Sequence, residues 1–209
     1  KEKMHLYVFD EKLKSQWENE VELPYEAALF SIDGVRVDND GNAFLTGTEY
    51  QDRKTSRESR REGVPSYKYH LLSYKEKGKK MRDYTIELSN NFITDVRTGI
   101  APNGDLVAVG FYSEKGSYSV KGAFYMTIDG ETRQIKKQKT TAFETDFITQ
   151  NMSDREKRKV EKKEAKGQTA EMYEYDLNNL IIQNDGGATI IAEQYYMYTV
   201  TTTTPGPNG

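Results

Sequence analysis

Short runs in which apolar and polar residues alternate cover much of the chain, and three pairs of these runs are separated by a tight turn with a glycine. The turns are Asp40-Gly41, Asn103-Gly104 and Asp185-Gly186. Alternation with a period of two is typical of half-buried β-strands, and Asp-Gly or Asn-Gly between two such runs is typical of a hairpin. Glycine suits these turns because it readily adopts a positive φ. The pattern therefore predicts three β-hairpins.

The three hairpins also agree beyond the turn when their glycines are aligned. An aliphatic residue lies four positions before each glycine, at Val37, Ile100 and Ile182. A small residue lies six positions after each glycine, at Gly47, Gly110 and Ala192. A small residue at a fixed point of a strand indicates that another backbone approaches closely there. The hairpins are therefore interpreted as copies of one repeating unit.

A second type of hairpin alternates with the first, over residues 4–23, 67–88 and 122–143. Its first strand is apolar, whereas its second strand is more polar and carries charge at alternate positions. This difference predicts an inner strand followed by a partly solvated edge strand. One unit of the chain is therefore four consecutive antiparallel strands.

Repeats of four antiparallel strands are typical of β-propeller blades, so the predicted fold class is an all-β, β-propeller-like domain over residues 1–209. Its predicted parts are a half blade at 4–22, a blade at about 30–88, a blade at about 92–143, an inserted charged helix at 153–166 and a half blade at 173–200. A propeller needs at least about four blades. We therefore expect further chain beyond Gly209, or another copy, to complete the ring.

The segment VDNDGNAFLTG at residues 37–47 resembles the β-propeller repeat of secreted bacterial proteins, whose units carry Asp-x-x-Gly-Asn-x-aromatic-aliphatic-Thr-Gly. Residues 100–110 match this repeat in part, and residues 181–192 match it weakly. The resemblance implies a propeller fold and an exported protein, periplasmic or at the cell surface, whose signal peptide is not in this chain. It implies no reaction, because propellers serve binding proteins and enzymes alike. The first residue, Lys1, agrees with a mature or excised piece.

Two polar insertions interrupt the repeat. Residues 51–66 form a charged link whose composition predicts mobility rather than packing. Residues 153–166 predict a solvated helix, with Ser153 as N-cap, Glu156 completing a capping box and Gly167 at the end. This helix has seven basic and four acidic residues, so we expect it to project into solvent or to dock on an acidic partner. The candidate partner contacts on it are Arg155, Arg158 and Lys162.

Composition excludes several classes of function. The 30 Lys and Arg residues against 33 Asp and Glu residues give a net charge of −3, which provides no general attraction for nucleic acid. Without cysteine, the chain has neither disulfides nor thiolate chemistry. No apolar run approaches the roughly 18 residues that a transmembrane helix needs. The expected partner is therefore another protein, such as an envelope assembly.

One loop offers a candidate calcium site. Asp38, Asp40, Asn42 and Glu49 stand at positions 1, 3, 5 and 12 of the loop, which is the spacing of oxygen ligands in an EF-hand. The loop departs from that pattern because Ala43 replaces the glycine at position 6 and because a predicted strand follows directly. We therefore favour an ordinary turn, and we predict neither a metal nor a cofactor.

No recognised catalytic motif occurs in the sequence, so no catalytic residue is predicted. The recurring Asp33, Asp95 and Asp176 leave two alternatives open. In one alternative, they are the catalytic carboxylates of a glycosidase. In the other, which is the commoner role, they accept hydrogen bonds from the backbone of loops. His5 and His70 lie at corresponding positions and are interpreted as strand residues rather than as a functional pair.

Tyrosines near the end of the chain are further candidate partner contacts. Tyr195 and Tyr196 suit either a contact surface for protein or sugar or packing between blades, and packing is favoured. Taken together, these patterns favour a non-catalytic scaffold or protein-interaction module. The alternative is a hydrolase that acts on glycans or peptides.

Overall fold

The computed structural model describes residues 2–62, 64–114, 119–167, 172 and 175–194. Within these residues the chain is mostly β-structure, and twelve strands form four antiparallel sheets. The prediction of an all-β fold is confirmed. The sheets are numbered below in chain order.

The two inner sheets have four strands and the two terminal sheets have two. The first sheet contains β1 (Glu2–Phe9) and β2 (Ser15–Leu23). The second contains β3 (Phe30–Val37), β4 (Ala43–Tyr50), β5 (Tyr67–Lys75) and β6 (Lys80–Ile86). The third contains β7 (Phe92–Ile100), β8 (Leu106–Ser113), β9 (Gly122–Ile128) and β10 (Ile135–Ala142). The fourth contains β11 (Tyr175–Ile182) and β12 (Ala188–Gln194).

Consecutive sheets are linked by apolar clusters that each draw residues from two neighbouring sheets. These clusters pair Trp17 with Leu45, Phe44 with Phe124, and Val109 with Leu180. Phe44 and Leu45 are neighbours in β4 but belong to different clusters, because successive strand residues point to opposite faces. Among the described residues, no strand ladder joins the first sheet to the fourth, so the stack of sheets does not close.

The three predicted Asp-Gly and Asn-Gly hairpins are β3–β4, β7–β8 and β11–β12. Their turn glycines have φ angles of 77°, 82° and 83°, as the turn type requires. Each hairpin also has a shift of register in its first strand. The shifts lie at Asp33, Thr94 and Asn178. The three hairpins therefore also share an irregularity that the comparison of their sequences did not reveal.

The small residues that lie six positions after the turn glycines stand where another backbone approaches closely, as the sequence predicted. A Cβ atom added at Gly110 would overlap the backbone carbonyl oxygen of Asp95, and one added at Gly47 would lie 2.7 Å from the carbonyl oxygen of Ser31. In the fourth sheet Ala192 pairs with Leu177, directly beside the register shift. The first strand thus approaches its partner closely at Gly47 and at Gly110.

The described residues contain three α-helices, where the sequence predicted one. Residues 51–66, whose composition predicted a mobile link, include the helix α1 (Arg53–Glu62). The Oδ1 atom of Asp52 accepts hydrogen bonds from the backbone N–H groups of Lys54 (2.8 Å) and Thr55 (3.1 Å), which caps this helix. Two helices follow β10, namely α2 (Thr145–Thr149) and α3 (Asp154–Glu164). The predicted capping box of Ser153 and Glu156 is confirmed in α3.

Candidate partner-binding surface on an inserted helix

Helix α3 is attached to the sheets through one side. Val160, the only aliphatic residue of α3, packs on the apolar cluster that contains Phe111 and Ile148. At the other end of the helix, Glu164 accepts a hydrogen bond from the hydroxyl of Thr145 at the start of α2. The helix therefore has a fixed inner side and an exposed outer side.

The exposed side carries four basic residues, which we call the basic face. The basic face consists of Arg155, Arg158, Lys159 and Lys162. These residues are three or four positions apart, so their side chains share one side of the helix. Together with Asp154 they line an open depression of about 450 Å³. Within the described part of the chain, none of the four forms an ion pair with a carboxylate.

The four like charges of the basic face repel one another. Like charges three or four residues apart cost about 0.2–0.5 kcal/mol per pair, although the acidic residues in the first turn of α3 and the basic residues in its last turn complement the helix dipole. Glu156 relieves the repulsion only in part, because its carboxylate is hydrogen-bonded by the side chain and backbone of Ser153, which lower the pKa of Glu156 more than the nearby Lys159 does. Bound carboxylates would relieve it, so the basic face is suited to an acidic ligand.

The candidate calcium ligands do not come together. The Oδ1 atom of Asp38 accepts hydrogen bonds from the backbone N–H groups of Asp40 (3.0 Å) and Asn42 (2.8 Å). Glu49 lies near the opposite end of β4, where its carboxylate is 3.4 Å from Nε2 of His70. Among the described residues, no group of three or more acidic or histidine side chains is placed to hold a metal ion. The spacing in the sequence therefore reflects a turn followed by a strand.

The three recurring aspartates have different partners. The carboxylate of Asp33 accepts hydrogen bonds from the hydroxyls of Ser31 (2.9 Å) and Thr48 (2.6 Å). The carboxylate of Asp95 accepts backbone hydrogen bonds from Leu177 (2.9 Å) and from Val96 (2.7 Å). Asp95 thereby links the third sheet to the fourth. Burial raises the pKa of Asp95 in spite of these hydrogen bonds.

Asp176 is an exposed residue that shares a cation with Asp95. The guanidinium of Arg97 lies 3.1 Å from Oδ1 of Asp95 and 3.9 Å from Oδ1 of Asp176. A small cavity of about 220 Å³ adjoins this arginine. Its polar lining residues are Asp33, Arg36, Thr46, Arg97, Thr98 and Asn178. No aromatic side chain of the described residues lines this cavity, whereas sugar sites use aromatic surfaces extensively.

The sequence did not predict the polar cluster around His70. The imidazole Nδ1 of His70 lies 2.7 Å from the hydroxyl of Tyr25 and 3.0 Å from Oδ1 of Asp83. Tyr25 also donates a hydrogen bond to Asp83. Burial, followed by this contact with Asp83, raises the pKa of Tyr25. The cluster joins the β2–β3 connection, which contains Tyr25, to the second sheet. On β6, Asp83 lies two residues before Thr85, which pairs with His70.

The remaining candidates are distributed as follows. His5 is exposed on β1 and stacks on Tyr7 with ring centroids 5.2 Å apart, so it forms no pair with the buried His70. Tyr195 and Tyr196 lie outside the described residues. In the part of the chain that the structure describes, no helix combines the length and apolar character needed to cross a membrane.

Comparisons with protein-family models, with curated proteins and with solved structures gave no match to this chain.

Proposed function

We propose that this chain is a non-catalytic protein-interaction module, built on a β-propeller-like scaffold of an exported bacterial protein, and that the basic face of α3 binds an acidic segment of a partner protein. The observation that carries the proposal is the set of four exposed cations without carboxylate partners among the described residues. In this proposal, the partner's acidic side chains supply anions beyond that of Asp154, which lies beside the four cations.

The propeller-like scaffold is supported by the order of the strands. Both complete sheets follow one plan, in which four consecutive strands lie side by side and the sheets then pack face to face. Contacts between β7 and β11 show that the first strands of the third and fourth sheets lie close together, as the innermost strands of neighbouring propeller blades do. Export rests on the resemblance of residues 37–47 to repeats of secreted proteins.

A hydrolase is the less well supported alternative. A carboxylate pair needs an open substrate site, with a separation of about 5 to 10 Å, to act on a glycoside. Asp33 and Asp95 are instead engaged by hydroxyl and backbone groups, respectively, and the cavity beside them has no aromatic lining. These contacts favour structural roles for both residues.

The proposal is tested with a fluorescently labelled poly-L-glutamate peptide as a probe. We expect the protein to bind it and a variant with Arg155→Glu, Arg158→Glu and Lys162→Glu to bind at least about tenfold more weakly in an anisotropy titration. The matched control changes three exposed turn lysines, Lys12, Lys14 and Lys79, to glutamate and thereby alters the net charge equally. Equal losses in the two variants, or no binding by the unaltered protein, would contradict the proposal.

A further inference from the structure

A cleft lies where the second sheet meets the third. Its lining comes from the residues on either side of α1, from the start of β5, and from the end of β6 through the beginning of β7. The cleft has a volume of about 340 Å³, at the lower end of the range of roughly 300–1,000 Å³ that is typical of small-molecule sites. It shares no residue with the depression on the basic face of α3.

Aromatic residues form one part of the lining, namely Tyr67, Tyr69 and Phe92. The hydroxyl of Tyr67 donates a hydrogen bond to the backbone carbonyl of Ile93 (3.0 Å), and the hydroxyl of Tyr69 donates one to the carbonyl of Thr94 (3.1 Å). Both tyrosines belong to the second sheet and both acceptors to the third, so these bonds fix the two rings across the junction. Burial raises the pKa of Tyr69, which keeps its hydroxyl protonated as a donor. The aromatic wall is therefore formed without a ligand.

Phe92 is the part of this wall that core packing does not explain. It is the first residue of β7, is partly exposed, and belongs to none of the apolar clusters that the described residues form. Its aliphatic neighbours in the lining, Ile86, Leu88 and Ile93, are at most 8% exposed and belong to the core. Phe92 thus offers aromatic surface to a ligand, whereas the aliphatic residues serve the fold.

The polar residues of the lining have hydrogen-bonding capacity that the described chain does not use. The Oε1 atom of Gln51 accepts a hydrogen bond from the hydroxyl of Ser59 (2.6 Å), and the amide nitrogen of Gln51 has no partner among the described residues. The side-chain amide of Asn91 likewise forms no hydrogen bond within the described part of the chain. The ammonium of Lys68 lies 3.8 Å from Oε1 of Glu87, which is longer than a direct hydrogen bond. The lining therefore offers donors and acceptors, and its two charges cancel.

We propose that this cleft binds a neutral saccharide without hydrolysing it. One sugar ring packs on Phe92, and its hydroxyl groups form hydrogen bonds with Gln51 and Asn91. A sugar ring has C–H groups on its faces and hydroxyls around its edge that both donate and accept, which matches an aromatic wall beside mixed polar groups. The balanced charge of Lys68 and Glu87 favours a neutral ligand over an anion or a cation. The inference goes beyond the proposed function and does not depend on the basic face.

Two other uses of the cleft fit its residues less well. A peptide that binds as an added strand needs a free strand edge, but Leu88 and Asn91 already bridge each other in the β6–β7 connection. Glycoside hydrolysis needs two carboxyl groups, whereas Glu87 is the only acidic residue among the described residues that line the cleft. The lining therefore favours binding of a saccharide over its hydrolysis.

Saturation-transfer difference NMR tests the proposal with four neutral disaccharides, namely maltose, cellobiose, lactose and N,N′-diacetylchitobiose. We expect at least one of them to bind, and we expect Phe92→Ala to weaken that binding by at least about fivefold, because the sugar ring loses its aromatic contact. Asn91→Ala is expected to weaken binding without changing the thermal unfolding temperature, since its side-chain amide has no partner in the described chain. The matched control is Phe9→Ala, because Phe9 is 52% exposed on the first sheet and does not line the cleft.

Three results would overturn this proposal. The first is a lack of saturation transfer to all four disaccharides. The second is saccharide binding that Phe92→Ala weakens no more than Phe9→Ala does, which would place the sugar elsewhere. The third is stronger binding of a hexaproline peptide that Phe92→Ala abolishes, which would assign the cleft to a proline-rich segment. Binding of poly-L-glutamate by the basic face is measured separately, so failure of the saccharide site leaves the proposed function standing.

Discussion

The polar cluster around His70 shows how single residues hold the second sheet to the connection that precedes it. Burial alone would raise the pKa of Asp83, but hydrogen bonds from His70 and Tyr25 outweigh burial and lower it. A carboxylate with a lowered folded-state pKa stabilises the fold above its unfolded pKa of about 3.9. This contribution is lost as the pH falls through the folded-state pKa.

Asp83→Asn is expected to lower the free energy of unfolding by about 1–3 kcal/mol at neutral pH, because it leaves buried donors without their charged acceptor. The difference from the unaltered protein should shrink as the pH falls below about 3.9. Urea unfolding at several pH values measures both effects. Asp176→Asn is the control, since Asp176 is exposed and its nearest cation is 3.9 Å away. A pH-independent difference for Asp83→Asn would contradict the assigned role.

Gly110 tests the close approach of strands beside a register shift. Gly110→Ala is expected to cost about 1–3 kcal/mol in the free energy of unfolding, because the new methyl group overlaps the carbonyl oxygen of Asp95. Gly34→Ala is the matched control, since a Cβ atom there has no neighbour within 4 Å. Chemical denaturation compares the two variants. Equal stabilities would show that the backbone at Gly110 has more room than the structure indicates.

At the scale of elements, the sequence was most informative where a turn and an alternating pattern coincide. The three hairpins with turns at Gly41, Gly104 and Gly186 follow from turn chemistry and strand periodicity, which are local properties. The helix α3 was predictable because Ser153 and Glu156 form a capping box. The register shift at Asp33 and the cluster at His70 depend on contacts between distant segments, which no local pattern specifies.

The helix α1 was missed for a physical reason that can be tested. A charged composition indicated mobility, but Asp52 satisfies two N–H groups at the helix start, and the buried hydroxyl of Ser59 donates a hydrogen bond to the side chain of Gln51 (2.6 Å). Asp52→Ala is expected to destabilise α1 by about 0.5–2 kcal/mol. Hydrogen exchange of the Ser56 amide, which bonds to the carbonyl of Asp52, should then accelerate. Unchanged exchange would show that packing alone holds the helix.

At the scale of the whole molecule, sheets packed in chain order form the framework that presents α3. The sequence predicted that two whole and two half units cannot close a ring, and the four described sheets remain separate. The sequence also indicated Arg155, Arg158 and Lys162 as partner contacts. It did not establish which side of the helix is free, because that depends on how Val160 packs against the sheets.

Hydrogen exchange of the protein with and without poly-L-glutamate tests most directly whether the basic face of α3 is the interaction site. We predict that saturating peptide slows exchange of the α3 amides. Exposed basic residues also lie on α1 (Arg53, Lys54, Arg57 and Arg61) and on β10 (Lys137 and Lys139), and these two surfaces serve as internal comparisons. Slower exchange on β10 without any change on α3 would contradict the account.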